Sequence, residues 1–245
     1  MRFSFLFFAL YFSLAPSFAD ELRIAVASNF TRTLKAIAVK FEKTSGHRVK
    51  ISSGSSGKQY AQIKNGAPFE LFFAADTLRP ELLEKQGIAL NGSRFTYAQG
   101  KLVLWSPRAH VVDNEGRILE RQDFNHLAIA NPKLAPYGSA AKEVLDGKGL
   151  WNALRGKLVQ GENIGQTFQF VRTGHAQLGF IALSQLIHSG RRIEGSRWEV
   201  PQKLYSPIDQ QAVMLKNTRV ATEFLGFVKS EEVRSMIRQS GYSTP

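Results

Sequence analysis

The 245-residue sequence contains no cysteine. That absence excludes disulfide bonds and thiolate metal sites, and a chain of this length can bury enough apolar surface to do without either. Histidine is scarce, with residues only at 47, 110, 126, 175 and 188. No two stand at the i, i+4 spacing that places zinc ligands on one helical face, so a zinc site has no footing. Acidic residues are outnumbered: 20 Asp and Glu against 32 Lys and Arg give a formal net charge of +12. The basic residues are scattered, with no run longer than Arg191-Arg192, so they form no stripe suited to nucleic acid. A long-range attraction for anions is what remains. Repeats, low-complexity tracts and linkers long enough to separate independent domains are also missing.

Long apolar runs are missing too, except at the start. There Arg2 precedes an apolar stretch from Phe3 to Leu14, followed by Pro16 and the small-residue end Ser17-Phe18-Ala19. A basic start, a short apolar core and a small-x-Ala end make a secretory signal peptide over residues 1–19. The apolar stretch is about a dozen residues, short of the roughly 20 that span a bilayer. The mature chain is therefore expected to begin near Asp20 and to work in the periplasm.

What is present is an alternation of strands and helices. "ELRIAVAS" reads as a buried strand, and Phe30, Leu34, Ile37, Ala38 and Phe41 follow with helical spacing up to Gly46. "HRVKISS" and "FELFFAA" are further strands, each leading into a helix. The order predicts an α/β fold with a largely parallel sheet covered on both faces. The pattern then restarts. "RFTYAQGKLVLWS" reads as one long strand from Phe95 to Trp105, and "HLAIANP", "KLVQGEN" and "AQLGFIAL" as strands separated by helices. "YSPIDQQAVML" runs extended before two amphipathic helices close the chain. Two α/β lobes sharing extended crossover segments fit this order: residues 20–96 and 207–245 for the first lobe, 97–206 for the second.

The stretch "SSGSSGKQYAQI", residues 52–63, crowds four serines and two glycines before a helix. It fails two enzyme templates. Gly54, Gly57 and Lys58 give G-x-x-G-K followed by Gln59, shorter than a phosphate loop and without its magnesium-binding hydroxyl. Gly54-Ser55-Ser56-Gly57 lacks the last spacer of a nucleophile elbow, and nothing supplies the base and orienting acid that a catalytic serine needs. A helix cap by Ser55 or Ser56 is the plainest role. The arrangement recurs, however, at Ser28-Asn29, at Tyr137-Gly138 and at Asn163-Ile164-Gly165. Each joint puts free backbone N–H groups at the carboxyl end of a strand, where open α/β sheets bind ligands and a helix start favours negative charge.

The segments "SSGSSGKQYAQIKNGAPFELFFAAD", "FTYAQGKLVLWS", "IANPKLAPYGSAAKEVL", "GENIGQTFQFV", "LGFIALSQ" and "YSPIDQQAV" occur in this order over essentially the whole mature chain. Together they resemble the periplasmic molybdate-binding proteins of ABC transporters. The resemblance implies a type II two-lobed periplasmic binding protein fold, with two mixed or parallel sheets flanked by helices and joined by two crossover strands. It implies a monomer that is no enzyme, needs no cofactor, captures molybdate or tungstate between its lobes and delivers it to a membrane permease. Nucleic acid is not an implied partner. The family's ligand positions fall on Ser28, with Asn29 as a neighbouring donor, and on Ser56, Tyr137 and Ile164, the last two acting through the backbone. The molybdenum is held as an oxyanion, without direct protein ligands to the metal. A tyrosine that some members place just after the "LGF" strand is absent here, where the chain reads Phe180-Ile181-Ala182-Leu183-Ser184. Asn29 is the candidate to replace its donor.

The chemistry of the residues agrees with this. A deprotonated tetrahedral dianion accepts hydrogen bonds and offers none, so neutral donors suit it and a carboxylate would repel it. Phosphate is partly protonated near neutral pH and would want an acceptor, whereas sulfate differs from molybdate only in size. Three alternatives stay open on the sequence: a binding protein for another oxyanion such as sulfate or a phosphonate, an exported hydrolase using Ser56, and the effector domain of a transcription regulator.

Overall fold

Leu22 and the run from Ile24 to Ala27 are all buried, the signature of a strand covered on both faces. In the computed structural model, which describes residues 20–188 and 191–245, this is β1 (Glu21–Ala27). The signal peptide read from residues 1–19 lies outside the described residues. The chain continues through α1 (Thr31–Ser45), β2 (Arg48–Gly54), α2 (Ser56–Lys64), β3 (Leu71–Phe73), α3 (Leu78–Lys85) and β4 (Phe95–Gly100). A second set comprises β5 (Leu102–Ser106), α4 (Ile118–Arg121), β6 (Leu127–Ala130), α5 (Pro136–Gly147), α6 (Trp151–Leu154), β7 (Leu158–Gly161), α7 (Ile164–Arg172), β8 (Leu178–Ala182), β9 (Ile187–His188), β10 (Arg191–Arg192) and β11 (Ser196–Glu199). The chain then returns with β12 (Ile208–Met214), α8 (Arg219–Val228) and α9 (Glu231–Gln239).

Two five-stranded sheets result, in the orders β2-β1-β3-β12-β4 and β11-β5-β8-β6-β7. In the first, β1 runs parallel to β2 and β3, and β12 antiparallel to β3 and β4. In the second, β6 is parallel to β7 and β8, and β5 antiparallel to β8 and β11. Helical periodicity is realised where it was read. α1 buries Leu34, Ile37, Ala38 and Phe41 and stops at Gly46, whose φ of 74° is the left-handed conformation of a helix end. α8 buries Val220, Ala221, Phe224, Leu225 and Val228.

The segment read as one strand from Phe95 to Trp105 is two strands in different sheets. β4 pairs with β12 and β5 with β8 and β11, with Lys101 between them. Both pieces are extended and rich in strand-forming residues, and the one exposed residue between them, Lys101, does not by itself mark a change of partner. The return crossing is equally abrupt. The Tyr205 hydroxyl accepts from the Leu102 N–H of the second sheet at 3.1 Å, while Ile208 pairs with Gly100 in the first. Residues 97–100, which the sequence reading places in the second lobe, thus pair in the first sheet. β11 was not foreseen; it is a short edge strand with one buried residue, Trp198.

The lobes meet across a cleft between the strand ends. The Gly57 N–H donates to the Leu134 carbonyl at 2.9 Å, Arg79 Nη2 donates to the Lys133 carbonyl at 3.2 Å, and Lys58 pairs with Glu162 at 3.2 Å. Ala27 and Ala75 of the first lobe belong to the same apolar cluster as Tyr137 and Ile164 of the second. Under the first turn lies an aromatic layer, in which fully buried Phe30 stacks on Phe73, tilts against Tyr97 and meets Tyr242 edge to face, at ring distances of 6.1, 4.6 and 5.5 Å. Such packing holds the β1–α1 turn against the sheet.

Candidate anion-binding site

The four strand-to-helix joints converge on one cavity in the cleft. Ser28, Asn29 and Ser56 line it from the first lobe, and Tyr137 and Ile164 from the second. It is small, about 10 Å³, on a measure by which one water needs roughly 10–15 Å³. No charged side chain lines it among the described residues. The structure therefore brings all five residues carried over from the sequence to a single place.

Division of labour among the serines is clear from their partners. Ser55 is the helix cap: its hydroxyl accepts from the Lys58 N–H at 3.3 Å. Ser56, only 1% exposed, instead accepts from the Ala75 N–H at 2.9 Å. Ser28 accepts from the Gly165 N–H across the cleft at 3.2 Å. A hydroxyl whose oxygen already accepts from a backbone N–H has its own proton left to donate, and the bond it accepts polarises that proton further.

The backbone supplies the other donors. Among the described residues, the N–H groups of Asn29, Ser56, Tyr137 and Ile164 have no protein acceptor, whereas their neighbours Ser28, Gly57, Gly138 and Gly165 each have one. Ser56 and Ile164 open α2 and α7, and Tyr137 follows Pro136 in the first turn of α5. First-turn N–H groups have no intrahelical partner, and Pro136 occupies a position where its missing N–H costs nothing. Helix starts also carry partial positive charge, so these turns present a positive potential without a charged side chain. Close approach at Gly165 matters: a Cβ there would lie 3.3 Å from Ser28 Cβ and 3.0 Å from Asn163 Oδ1.

Asn29 behaves differently from the simplest expectation. Its Nδ2 donates to Gln210 Oε1 at 2.8 Å and to the Tyr242 hydroxyl at 3.1 Å, so both side-chain protons are engaged within the protein. Its backbone N–H is the donor left for the cavity. Gln210, Tyr97 and Tyr242 were missed in the sequence, and Gln210 could have been noticed only as a polar residue inside the buried part of "PIDQQAV". Burial pushes the phenols of Tyr97, Tyr137 and Tyr242 well above the ordinary tyrosine range, so all three stay protonated. Past Ser28 the cleft widens into a groove of about 430 Å³ flanked by Arg32 and Lys35 of α1 and by Phe168 and Gln169 of α7. Among the described residues no cluster of His, Asp and Glu could hold a metal ion, and no helix is long and apolar enough to cross a membrane.

A search of protein families matches residues 22–243 to the bacterial extracellular solute-binding proteins. The molybdate-binding protein ModA of Azotobacter vinelandii is 51% identical over 91% of this chain and 90% of its own. The ModA of Rhodobacter capsulatus is 47% identical over 94% of this chain and 90% of its own. The chain belongs to this solute-binding family. The solved periplasmic molybdate-binding protein of Azotobacter vinelandii superposes with a TM-score of 0.89 at 46% identity, covering 91% of this chain and 99% of that one. The fold is accordingly that of a type II periplasmic binding protein, as the resemblance implies. The uncharged cavity lies between the two lobes of this fold.

Proposed function

We propose that the protein captures molybdate or tungstate between its lobes and delivers it to the membrane permease of an ABC transporter, working as a monomer in the periplasm after loss of residues 1–19. It is a binding protein and not an enzyme; the oxyanion is its ligand, and it uses no cofactor. The observation that carries this reading is the donor set. Four unengaged N–H groups, of Asn29, Ser56, Tyr137 and Ile164, and the hydroxyls of Ser28 and Ser56 converge from both lobes on one cavity without a carboxylate. The names of the relatives, four of five being molybdate-binding proteins, support the choice of anion.

Magnitudes are adequate. Hydrogen bonds to a charged group contribute about 1.5–3 kcal/mol each. Six of them, less an association cost of about 4–15 kcal/mol, leave room for the roughly 8–12 kcal/mol of micromolar to nanomolar binding. Because Gly165 and Ala75 fill the acceptor side of the two serines, a protonated oxyanion finds no good acceptor there. Arg32 and Lys35 at the mouth raise the local concentration of anions without entering the cavity. Calorimetric titration of the protein lacking residues 1–19 with molybdate, tungstate, sulfate and phosphate tests the reading. Molybdate and tungstate are expected to bind at least a hundredfold more tightly than the others; equal or tighter binding of sulfate would overturn it.

A further inference from the structure

Behind the cavity lies a buried polar cluster that ligand binding alone does not explain. Its centre is Gln210 of β12, fully buried. Gln210 Oε1 accepts from Asn29 Nδ2 at 2.8 Å and shares the Tyr97 hydroxyl proton, 3.0 Å away, with the Ala74 carbonyl at 3.1 Å from that hydroxyl, and its Nε2 donates to the Tyr137 hydroxyl at 3.2 Å. Asn29 and Tyr137 each present a backbone N–H to the cavity, one from each lobe. Their side chains meet on the same amide. Tyr137 therefore faces two ways: its N–H lines the cavity, while its phenol reaches into the first lobe and lies against Gly100 at the strand crossover. The Tyr242 hydroxyl closes the other side of the Asn29 turn, accepting from Nδ2 at 3.1 Å and donating to the Asn29 carbonyl at 2.9 Å.

The sheet is locally irregular at this point. Gln210 pairs with Ala98 and Gln211 with Thr96, so the register slips between them and Tyr97 is the extra residue of a β-bulge. In a regular ladder Tyr97 would face away from Ala98 and its partner Gln210; a bulge re-aims a side chain, here bringing the phenol to Gln210 Oε1. A fully buried amide that accepts from Asn29 and spends a donor across the lobe boundary is a costly element to keep unless it fixes a geometry. Glutamate could not replace it neutrally, since an ionised carboxylate would set a negative charge behind the anion.

We propose that Gln210 is a positioning residue that fixes the distance between the Asn29 and Tyr137 donors, and that this distance sets which size of tetrahedral oxyanion the closed cleft accepts. The proposal rests on the functional reading above and adds to it the origin of discrimination between molybdate and the smaller sulfate. With the tie intact, an anion with shorter bonds cannot touch both sets of donors at once. With the tie cut, the two turns settle independently around whatever anion is present.

The test compares the dissociation constants of molybdate and sulfate for the wild-type protein, Gln210→Leu and Gln210→Asn. Leucine removes the hydrogen bonds at similar volume; asparagine keeps a buried amide too short to reach both partners and serves if the leucine variant fails to fold. The ratio of the two dissociation constants is expected to narrow by about tenfold in either variant, with most of the change a gain in sulfate affinity. A purely structural role would weaken both anions by the same factor, and an unchanged ratio overturns the proposal. Failure of the wild-type protein to bind molybdate would overturn the functional reading and this proposal with it.

Discussion

The two lobes hold one cavity with different chemistry. The first contributes two hydroxyls, Ser28 and Ser56, alongside the backbone N–H groups of Asn29 and Ser56. The second contributes backbone alone: the Ile164 side chain is packed into the apolar core of its lobe and the Tyr137 phenol is turned away to Gln210. On the proposed function, residue type matters in the first lobe, where side-chain hydroxyls are the donors offered to the anion. In the second lobe only the course of the main chain matters, and many side chains could sit at the same position. Function in a binding protein can thus depend strongly on a residue and yet be nearly indifferent to its side chain.

The largest effect expected from this contrast is in the first lobe. Ser28→Ala and Ser56→Ala should each weaken molybdate binding by about 1.5–3 kcal/mol, ten- to a hundredfold. The double variant should lose at least a hundredfold by calorimetry while keeping its fold, and near-normal affinity would erase the distinction between the lobes. Next comes a deletion of main-chain chemistry in the second lobe. Ile164→Pro removes one N–H at the first position of α7, where proline fits, and should cost roughly tenfold or more. Ile164→Val, which keeps that N–H, should bind within about threefold of the wild type; a large loss in the valine variant would mean that the side chain matters after all.

Smaller effects belong to the contacts between lobes. Gly165→Ala puts a methyl group against Ser28 and should hinder closure by about 1 kcal/mol, roughly fivefold in affinity, with little change in the melting temperature of the unliganded protein. Lys58→Ala removes an ion pair whose side chains are 51% and 41% exposed, so less than about 1 kcal/mol is expected, vanishing at high salt. The smallest effect concerns pH. Because burial raises the phenols of Tyr97, Tyr137 and Tyr242 above their ordinary value of 10, molybdate affinity should stay flat through alkaline pH up to that value. Folding stability carries the sign of a raised acid: full below pH 10, and lost above it as the unfolded phenols ionise first. An affinity that falls between pH 8 and 9.5 would show that another group titrates at the site.

Much of the site was legible because its signals are local. Ser28, Ser56, Tyr137 and Ile164 stand at turns that the strand-to-helix order alone picks out, and the hydroxyls and glycines there are visible in the sequence. The engagement of the Asn29 amide was not legible, since its partner Gln210 is 181 residues away and looks like any polar residue on a strand. Nor was the break at Lys101, where strand-forming residues lie on both sides while the pairing partner switches from β12 to β8.

By itself, then, the sequence determined the alternation of strands and helices, the four turns that open helices with free N–H groups, and the absence of acids beside the serines. These follow from periodicity, capping chemistry and residue type, all of which act over a few residues. Only the tertiary structure decided which serine caps and which faces the cavity, where the chain passes from one sheet to the other, and how Gln210 joins Asn29 to Tyr137. Each of those depends on which distant segment comes to lie alongside, because a hydroxyl or an amide takes its role from the partner it meets.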